Sequence, residues 1–260
     1  MSVLLLRLAG PLQAWGSAAR FVRRTTENAP TKSGVLGLLA AAQGRERDAD
    51  LSDLAALRYG VRIDQPGTRM RDFQTAHHFD TDKAMPLSER FYLADAVFVA
   101  AVEGEPEIVE RLDAAVRAPV WLPYLGRRSC PPSAPLDLGV REDADLATAL
   151  AEVPWQASEW YRARYGTPRE LPLLLDSAPG EAPDQSFRDA PITFDPRHRR
   201  YALRGVVASR VPNPSADRAP GGVPGDVPGD VPEAGEPAGV PDQRPGTAAD
   251  HDPTSALGAV

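Results

Sequence analysis

The run from Pro30 to Gly44, PTKSGVLGLLAAAQG, carries a stop, a cap, a helix and a terminator in one short segment, and it fixes one element of any fold the chain can adopt. Pro30 disfavours helix at Ala29, Thr31 or Ser33 can accept from the first free backbone N–H groups, and Gly44 supplies the left-handed residue that ends the run. Val35, Leu38, Leu39 and Ala42 form one apolar stripe that has to be buried. Lys32 and Ser33 sit at the positive end of the helix dipole, and Gly34 leaves the backbone open to close approach. That geometry receives phosphate, although a well-capped core helix with a surface lysine accounts for the same residues.

Around this helix the pattern is regular as far as residue 124. Val3 to Leu8 reads as a buried strand closed by Gly10-Pro11, and Leu51 to Leu57, with Ser52 as cap, is a second short helical piece. Tyr59 to Ile63 is a strand ended by Gln65-Pro66-Gly67, and Phe91 to Val102 is apolar on both faces and so central in a sheet. Pro106 to Arg117 is an amphipathic helix with Ile108, Val109, Leu112 and Val116 on one face, and Val120 to Tyr124 is a further short strand. Strand, helix, strand, strand, helix, strand is the split β-α-β order of a ferredoxin-like domain in an α+β protein. A polar, aromatic and basic excursion, Thr68 to Arg90, interrupts it.

Residues 136–210 are less periodic, with strands expected at Leu171 to Leu175 and Tyr201 to Ala208, and they read as a smaller antiparallel subdomain. Residues 211–260 hold ten of the 27 prolines and eight of the 21 glycines, too few apolar residues to form a core, and are expected to be a disordered acidic tail. This tail carries −6 of the net charge of −7, so the acidic balance says little about the rest. Met1 to Lys32 is instead locally basic, with five cationic residues against Glu27 alone, which admits an anionic partner.

A single cysteine, Cys130, leaves no internal disulfide and no thiolate cluster for zinc, and the four histidines lack metal-ligand spacing, so no cofactor or metal is expected. The apolar start is too short for a membrane span, and a soluble cytoplasmic protein is expected.

Several segments carry recognition chemistry. Gly10 to Gly16 is a glycine-bracketed loop in which Gln13 and Trp15 suit either base stacking or simple burial. Arg20, Phe21, Arg23 and Arg24 interleave charge with an aromatic ring, as a nucleic-acid surface does. Gly126-Arg127-Arg128-Ser129, pinned by Pro131-Pro132 and preceded by Tyr124, offers a forked donor pair for phosphate, or equally a salt-bridged loop. His77 and His78, near Arg69, Arg71 and Lys83, are the only candidates for acid–base chemistry of a metal-independent ribonuclease, but a surface or RNA-stacking role comes ahead of it, since an imidazole in a basic loop stacks without chemistry. Lys32 lacks the upstream glycine of a P-loop, so nucleotide hydrolysis has no support.

Three of these stretches together, LAGPLQAWG at 8–16, PTKSG followed by LGLL at 30–39, and YLGRRSCP at 124–131, resemble the CasD family, the fifth Cas family of the RAMP superfamily, whose members are subunits of the type I-E CRISPR surveillance complex Cascade. The resemblance implies an RRM-like domain over 1–135 with 68–90 as an inserted thumb, and a β-rich part over 136–210. It also implies a non-catalytic RNA-binding subunit that holds the 5′ handle of the CRISPR RNA, caps the complex in antiviral defence, and contacts the repeated backbone subunit and the large subunit, with target DNA met only indirectly. Gln13, Trp15, Lys32, Ser33, Tyr124, Gly126, Arg127, Arg128 and Ser129 would then face the handle, with Arg20, Arg23 and Arg24 nearby, and Arg69, Arg71, His77 and His78 on the thumb. The alternative is an endoribonuclease that cuts repeat RNA.

Overall fold

The computed structural model describes residues 1–17, 23–195 and 197–216. Its elements in chain order are β1 (Ser2–Ala9), β2 (Leu12–Gln13), β3 (Arg23–Arg24), α1 (Lys32–Ala42), α2 (Ser52–Ala55), β4 (Arg58–Gln65), β5 (Thr68–Gln74), β6 (Ser88–Ala94), β7 (Val97–Gly104), α3 (Pro106–Arg117), β8 (Asp137–Glu142), α4 (Leu146–Glu152), α5 (Glu159–Tyr165), β9 (Glu170–Asp176), β10 (Gln185–Thr193) and β11 (Arg200–Pro212). This is a mixed α+β fold built on two sheets, antiparallel except where β3 runs parallel to β6.

The main sheet has the order β10-β11-β9-β4-β7-β1-β8, with every neighbouring pair antiparallel. Strands β1 and β7 lie inside it and are apolar on both faces because both faces are covered. Leu4, Leu6, Leu8, Phe98, Ala100 and Val102 join a core with α1, α2 and α3. Val3, Leu5, Val99 and Ala101 point the other way, into a second core with α4 and the segment that carries Trp155 and Tyr161.

Helix α1 starts where its sequence sets it. Thr31 is extended and its hydroxyl accepts from the Gly34 N–H at 3.3 Å, while Gly44 takes φ +76° just past the end. Helix α3 opens on Pro106 and closes at Arg117, as its stripe predicts.

Four expectations need correction. Phe91 to Val102 is two strands rather than one, because Asp95 takes φ +55°; β6 turns into a second sheet while β7 stays in the first. Val120 to Tyr124 is irregular, held between Pro119 and Pro123, and β8 takes the expected place beside β1. Residues beyond 135 do not form a sheet of their own: β8 pairs with β1, and β9 pairs with β4. Finally, Val211 to Ala216 belong to the fold, since Val211 pairs with Leu171 and the Asn213 side chain donates to the Pro168 carbonyl. The rest of the expected tail, 217–260, lies outside the described residues.

The second sheet is small. Strand β5 pairs along the whole of β6, so β2 and β3 share the remaining β6 edge. The excursion at 68–90 is therefore mostly a β-hairpin, with a tip of residues 75–87 closed by a bridge between His77 and Ala84.

Candidate nucleic-acid interface

The three stretches singled out by sequence meet in space. The 124–131 loop packs on the glycine-bracketed loop after β1. Ala14 donates its N–H to the Leu125 carbonyl at 3.1 Å, and Gly126, at φ +84°, lies so close that a Cβ there would stand 1.7 Å from the Ala14 carbonyl oxygen. The N-terminus of α1 packs on the same loop through Gly34, where a Cβ would stand 2.8 Å from the Trp15 ring. Glycine is required at both positions because two backbones, or a backbone and a ring, occupy the space of a side chain.

This interlock explains why Gln13 and Trp15 do not face solvent. Both are fully buried. The Gln13 amide donates to the carbonyls of Leu8 at 3.0 Å and Ala96 at 2.7 Å, and its oxygen accepts from the Trp15 indole N–H at 3.0 Å. All their polar groups are thus spent inside, and base stacking on Trp15 is closed to a ring with no exposed surface.

Lys32 and Ser33 are also buried, and the start of α1 is already occupied by an anion from within the chain. The Asp189 carboxylate on β10 accepts from the Lys32 backbone N–H at 2.8 Å, and the Lys32 ammonium pairs with Asp176 on β9 at 3.0 Å. Arg204 on β11 bridges both acids, 2.7 Å from each. Its flat face lies 5.3 Å from the Tyr59 ring centre, and burial raises the Tyr59 phenol well above its ordinary pKa. The helix N-terminus binds an anion as its dipole dictates, but that anion is a side chain.

The exposed part of the cluster is the 124–131 loop itself. Leu125 donates its N–H to the Cys130 carbonyl at 2.7 Å and Cys130 to that of Arg127 at 2.8 Å, which closes a tight turn presenting Gly126, Arg128 and Ser129 to solvent, with Tyr124 beside it. Cys130 is buried beneath, and desolvation pushes its thiol pKa up, so it is a packing residue. Arg127 is half-buried: its guanidinium lies 4.7 Å from the centre of the Tyr92 ring and donates to the Arg24 carbonyl at 2.9 Å, while Nη1 has no partner among the described residues. The ring beneath fixes the plane of the guanidinium, and the unpartnered Nη1 is itself buried.

The second sheet divides the remaining basic residues between its two faces. Side chains alternate along a strand, so Arg24, Arg90 and Tyr92 share one face with Arg127. The Arg90 Nε is buried there without a partner among the described residues. Arg23, Arg69 and Arg71 share the other face. Arg23 lies over Phe91 at 5.4 Å and Arg71 over Phe73 at 4.9 Å, while Arg69 is held by the Asn28 side chain and the Thr26 carbonyl, each at 3.0 Å. His77 and His78 are exposed at the hairpin tip, His77 Nδ1 standing 3.1 Å from an Asp82 carboxylate oxygen. Arg20 lies outside the described residues.

Sequence reading missed Tyr92 as the platform under Arg127; its signal was the aromatic pair Phe91-Tyr92 directly after the charged pair Glu89-Arg90. Asp176, Asp189 and Arg204 had no local signal. Among the described residues no group of three acidic, histidine or cysteine side chains is arranged to hold a metal, and no helix is long and apolar enough to cross a membrane.

Comparison with known proteins gives a consistent result. The family described as CRISPR-associated protein (Cas_Cas5) matches residues 3–207. The CRISPR system Cascade subunit CasD of Escherichia coli strain K12 is 40% identical over 170 residues, which cover 57% of this chain and 75% of that protein. A solved structure described as a Cas protein superposes with a TM-score of 0.64 at 39% identity, covering 85% of this chain and 98% of the other. A chain of a CRISPR RNA-guided surveillance complex superposes with a TM-score of 0.67 at 34% identity, covering 81% and 91%.

Proposed function

The chain belongs to the Cas5 family of CRISPR-associated proteins, and on that premise we propose that it is a non-catalytic, cytoplasmic RNA-binding subunit of a Cascade complex, holding the 5′ handle of the CRISPR RNA and capping the backbone in antiviral defence. The strand order β4-β7-β1-β8, with α1 and α3 on one face, is read as the ferredoxin-like, RRM-like domain. The β5-β6 hairpin is read as its thumb.

The observation that carries the proposal is the loop geometry. Three sequence-distant segments lock together beneath Arg127 and Arg128, with the Arg127 guanidinium set flat on Tyr92 and Gly126, Arg128 and Ser129 exposed beside it. Such a site positions a phosphate backbone by charge and shape. Gln13, Trp15, Lys32 and Ser33 support it from inside, and the surface contacts fall to Arg23, Arg24, Arg69, Arg71, Tyr124, Gly126, Arg127, Arg128 and Ser129. Membership of an assembly with a repeated backbone subunit and a large subunit is supported by exposed apolar side chains. Phe79 at the hairpin tip is 99% exposed, and Val120, Trp121 and Leu122 are 65%, 59% and 86% exposed.

The His77–Asp82 contact is what favours a ribonuclease, because a carboxylate can orient an imidazole for proton transfer. One experiment separates the readings. End-labelled repeat RNA is titrated with the protein across a salt series in EDTA, and each sample is then run on a denaturing gel. The scaffold reading expects intact RNA, and an Arg127→Ala, Arg128→Ala variant whose log–log salt slope is shallower by about 1.4, from about 0.7 per phosphate contact on a single strand. A discrete product lost in a His77→Ala, His78→Ala variant would instead make the protein an endoribonuclease.

A further inference from the structure

A cavity of about 580 Å³ lies apart from the 124–131 loop, on the α4 and α5 side of the main sheet, lined among others by Arg7, Gln156, Arg162, Thr167 and Ser215. Arg7 is on β1 and shares its face with Val3 and Leu5, away from α1. Across the sheet Arg7 is level with Val99 on β7, and Val99 with Arg62 on β4, so two guanidinium groups occupy one row of one face.

Their environments differ. Arg62 is fully buried and satisfied: Asp64 receives Nε at 2.7 Å and Nη2 at 2.9 Å, and the Val153 carbonyl receives Nη1 at 2.7 Å. Asp64 is used up in turn by Arg62 and by the Gln156 N–H at 2.6 Å. Arg7 has no such partner. Its Nε is buried with no hydrogen bond among the described residues, although the surroundings are polar. A buried donor left unmade is costly, and native proteins leave few of them.

Arg162 reaches the same cavity from α5. It is held by the Ala157 carbonyl at 2.9 Å and by the Trp155 carbonyl, and stacks on the Trp155 ring at 5.0 Å. The Ser215 hydroxyl accepts from the Trp155 N–H at 3.3 Å and keeps its own proton to donate. Among the described residues no carboxylate lines the cavity. Two guanidinium groups, Arg7 and Arg162, thus line the cavity, and the nearby acid Asp64 is already committed to Arg62.

We infer that this cavity is a phosphate-binding subsite that takes one nucleotide, with Arg7 and Arg162 on the phosphate and the Thr167 and Ser215 hydroxyls completing its donors. A phosphate presents three strong acceptor oxygens to such a set, and the volume is that of a small-molecule pocket, far more than a single carboxylate side chain fills. The nucleotide arrives either free or as a unit of an RNA strand. The site stands on this geometry; only the strand source rests on the RNA-binding function proposed above.

The test uses the full chain, with adenosine 5′-monophosphate and inorganic phosphate as probes, read by calorimetry and by thermal shift at constant ionic strength. Saturable binding of both is expected, weakened about tenfold in Arg162→Gln and in Arg7→Gln, the loss of one charge-assisted contact each. Arg162→Gln alters an exposed residue, so it remains informative if Arg7→Gln fails to fold. Displacement of the nucleotide by short RNA identifies a strand as the source, and retention identifies a free nucleotide. The inference is overturned by absence of saturable binding, by unchanged affinity in Arg162→Gln, or by sodium glutamate competing as well as phosphate, which would assign the cavity to an acidic protein partner. The Arg127→Ala, Arg128→Ala variant should keep nucleotide binding while losing RNA affinity, so the two sites fail separately.

Discussion

Gly126→Ala tests the interlock directly. A Cβ at Gly126 would stand 1.7 Å from the Ala14 carbonyl oxygen; carbon and oxygen settle no closer than about 3.3 Å, so one loop has to retreat by about 1.6 Å. The left-handed backbone costs an alanine about 1–2 kcal/mol. Loss of the Ala14 N–H to Leu125 carbonyl bond adds about 1 kcal/mol, and displacement of Arg127 from Tyr92 adds about 0.5–1 kcal/mol. The total is about 3 kcal/mol, or about 9 °C in melting temperature for a fold of this size. Gly180 provides the control, because it has φ +85° and nothing within 4 Å of an added Cβ. Gly180→Ala carries the backbone cost alone, about 1 kcal/mol and about 3 °C. The assays are thermal unfolding by circular dichroism and RNA binding by fluorescence anisotropy on both variants. RNA affinity should fall in Gly126→Ala and hold in Gly180→Ala. Equal melting temperatures for the two variants would refute the interlock, whatever the RNA result.

Two further outcomes follow from the charge pattern. Asp189→Ala removes the internal anion at the start of α1 and takes one acid from Arg204, which should cost about 3 kcal/mol in urea unfolding, while RNA affinity measured below the melting transition stays unchanged; a selective gain of RNA affinity would restore the start of α1 as a phosphate contact. Asp145 caps α4 by accepting from the Thr148 N–H at 2.9 Å, and that bond holds its carboxyl below the ordinary carboxylate range. Its stabilisation is therefore present above the unfolded pKa and lost as pH falls through the lower folded value. Asp145→Ala should cost about 1 kcal/mol at pH 7, and the gap from the native chain should close in urea titrations below about pH 4.

What was legible in the sequence was what is decided locally. Helices α1 and α3 and strands β1, β4 and β7 carry their own caps, stripes and turn residues, and they appear where those signals lie. Asp95 gave no warning that it would take a positive φ and send β6 to another sheet, since aspartate is common in turns of every kind. Val120-Trp121-Leu122 has a strand's composition, but with prolines on either side it pairs with no strand among the described residues. In the candidate site the motifs were visible and their direction was not. Gln13 and Trp15 are locally as consistent with an inward as an outward ring, and only Gly34 against the indole decides it; Lys32 has the position of a phosphate ligand, but Asp189, 157 residues away in the chain, takes the helix start. A partner that far away leaves no trace in local spacing.

That same separation constrains synthesis. At a ribosomal rate of about 5–20 residues per second, the strand bearing Asp189 is made about 8–30 s after Lys32. Until then the front of α1 has neither its carboxylate nor the neighbouring arginine, and β4 lacks the strand on its outer edge. The first motifs to be translated are therefore among the last to be seated, and the nascent N-terminal half waits as an open sheet edge. A chain held at that stage would expose the Lys32 ammonium and the free N–H groups at the start of α1, which the finished fold closes with its own acids.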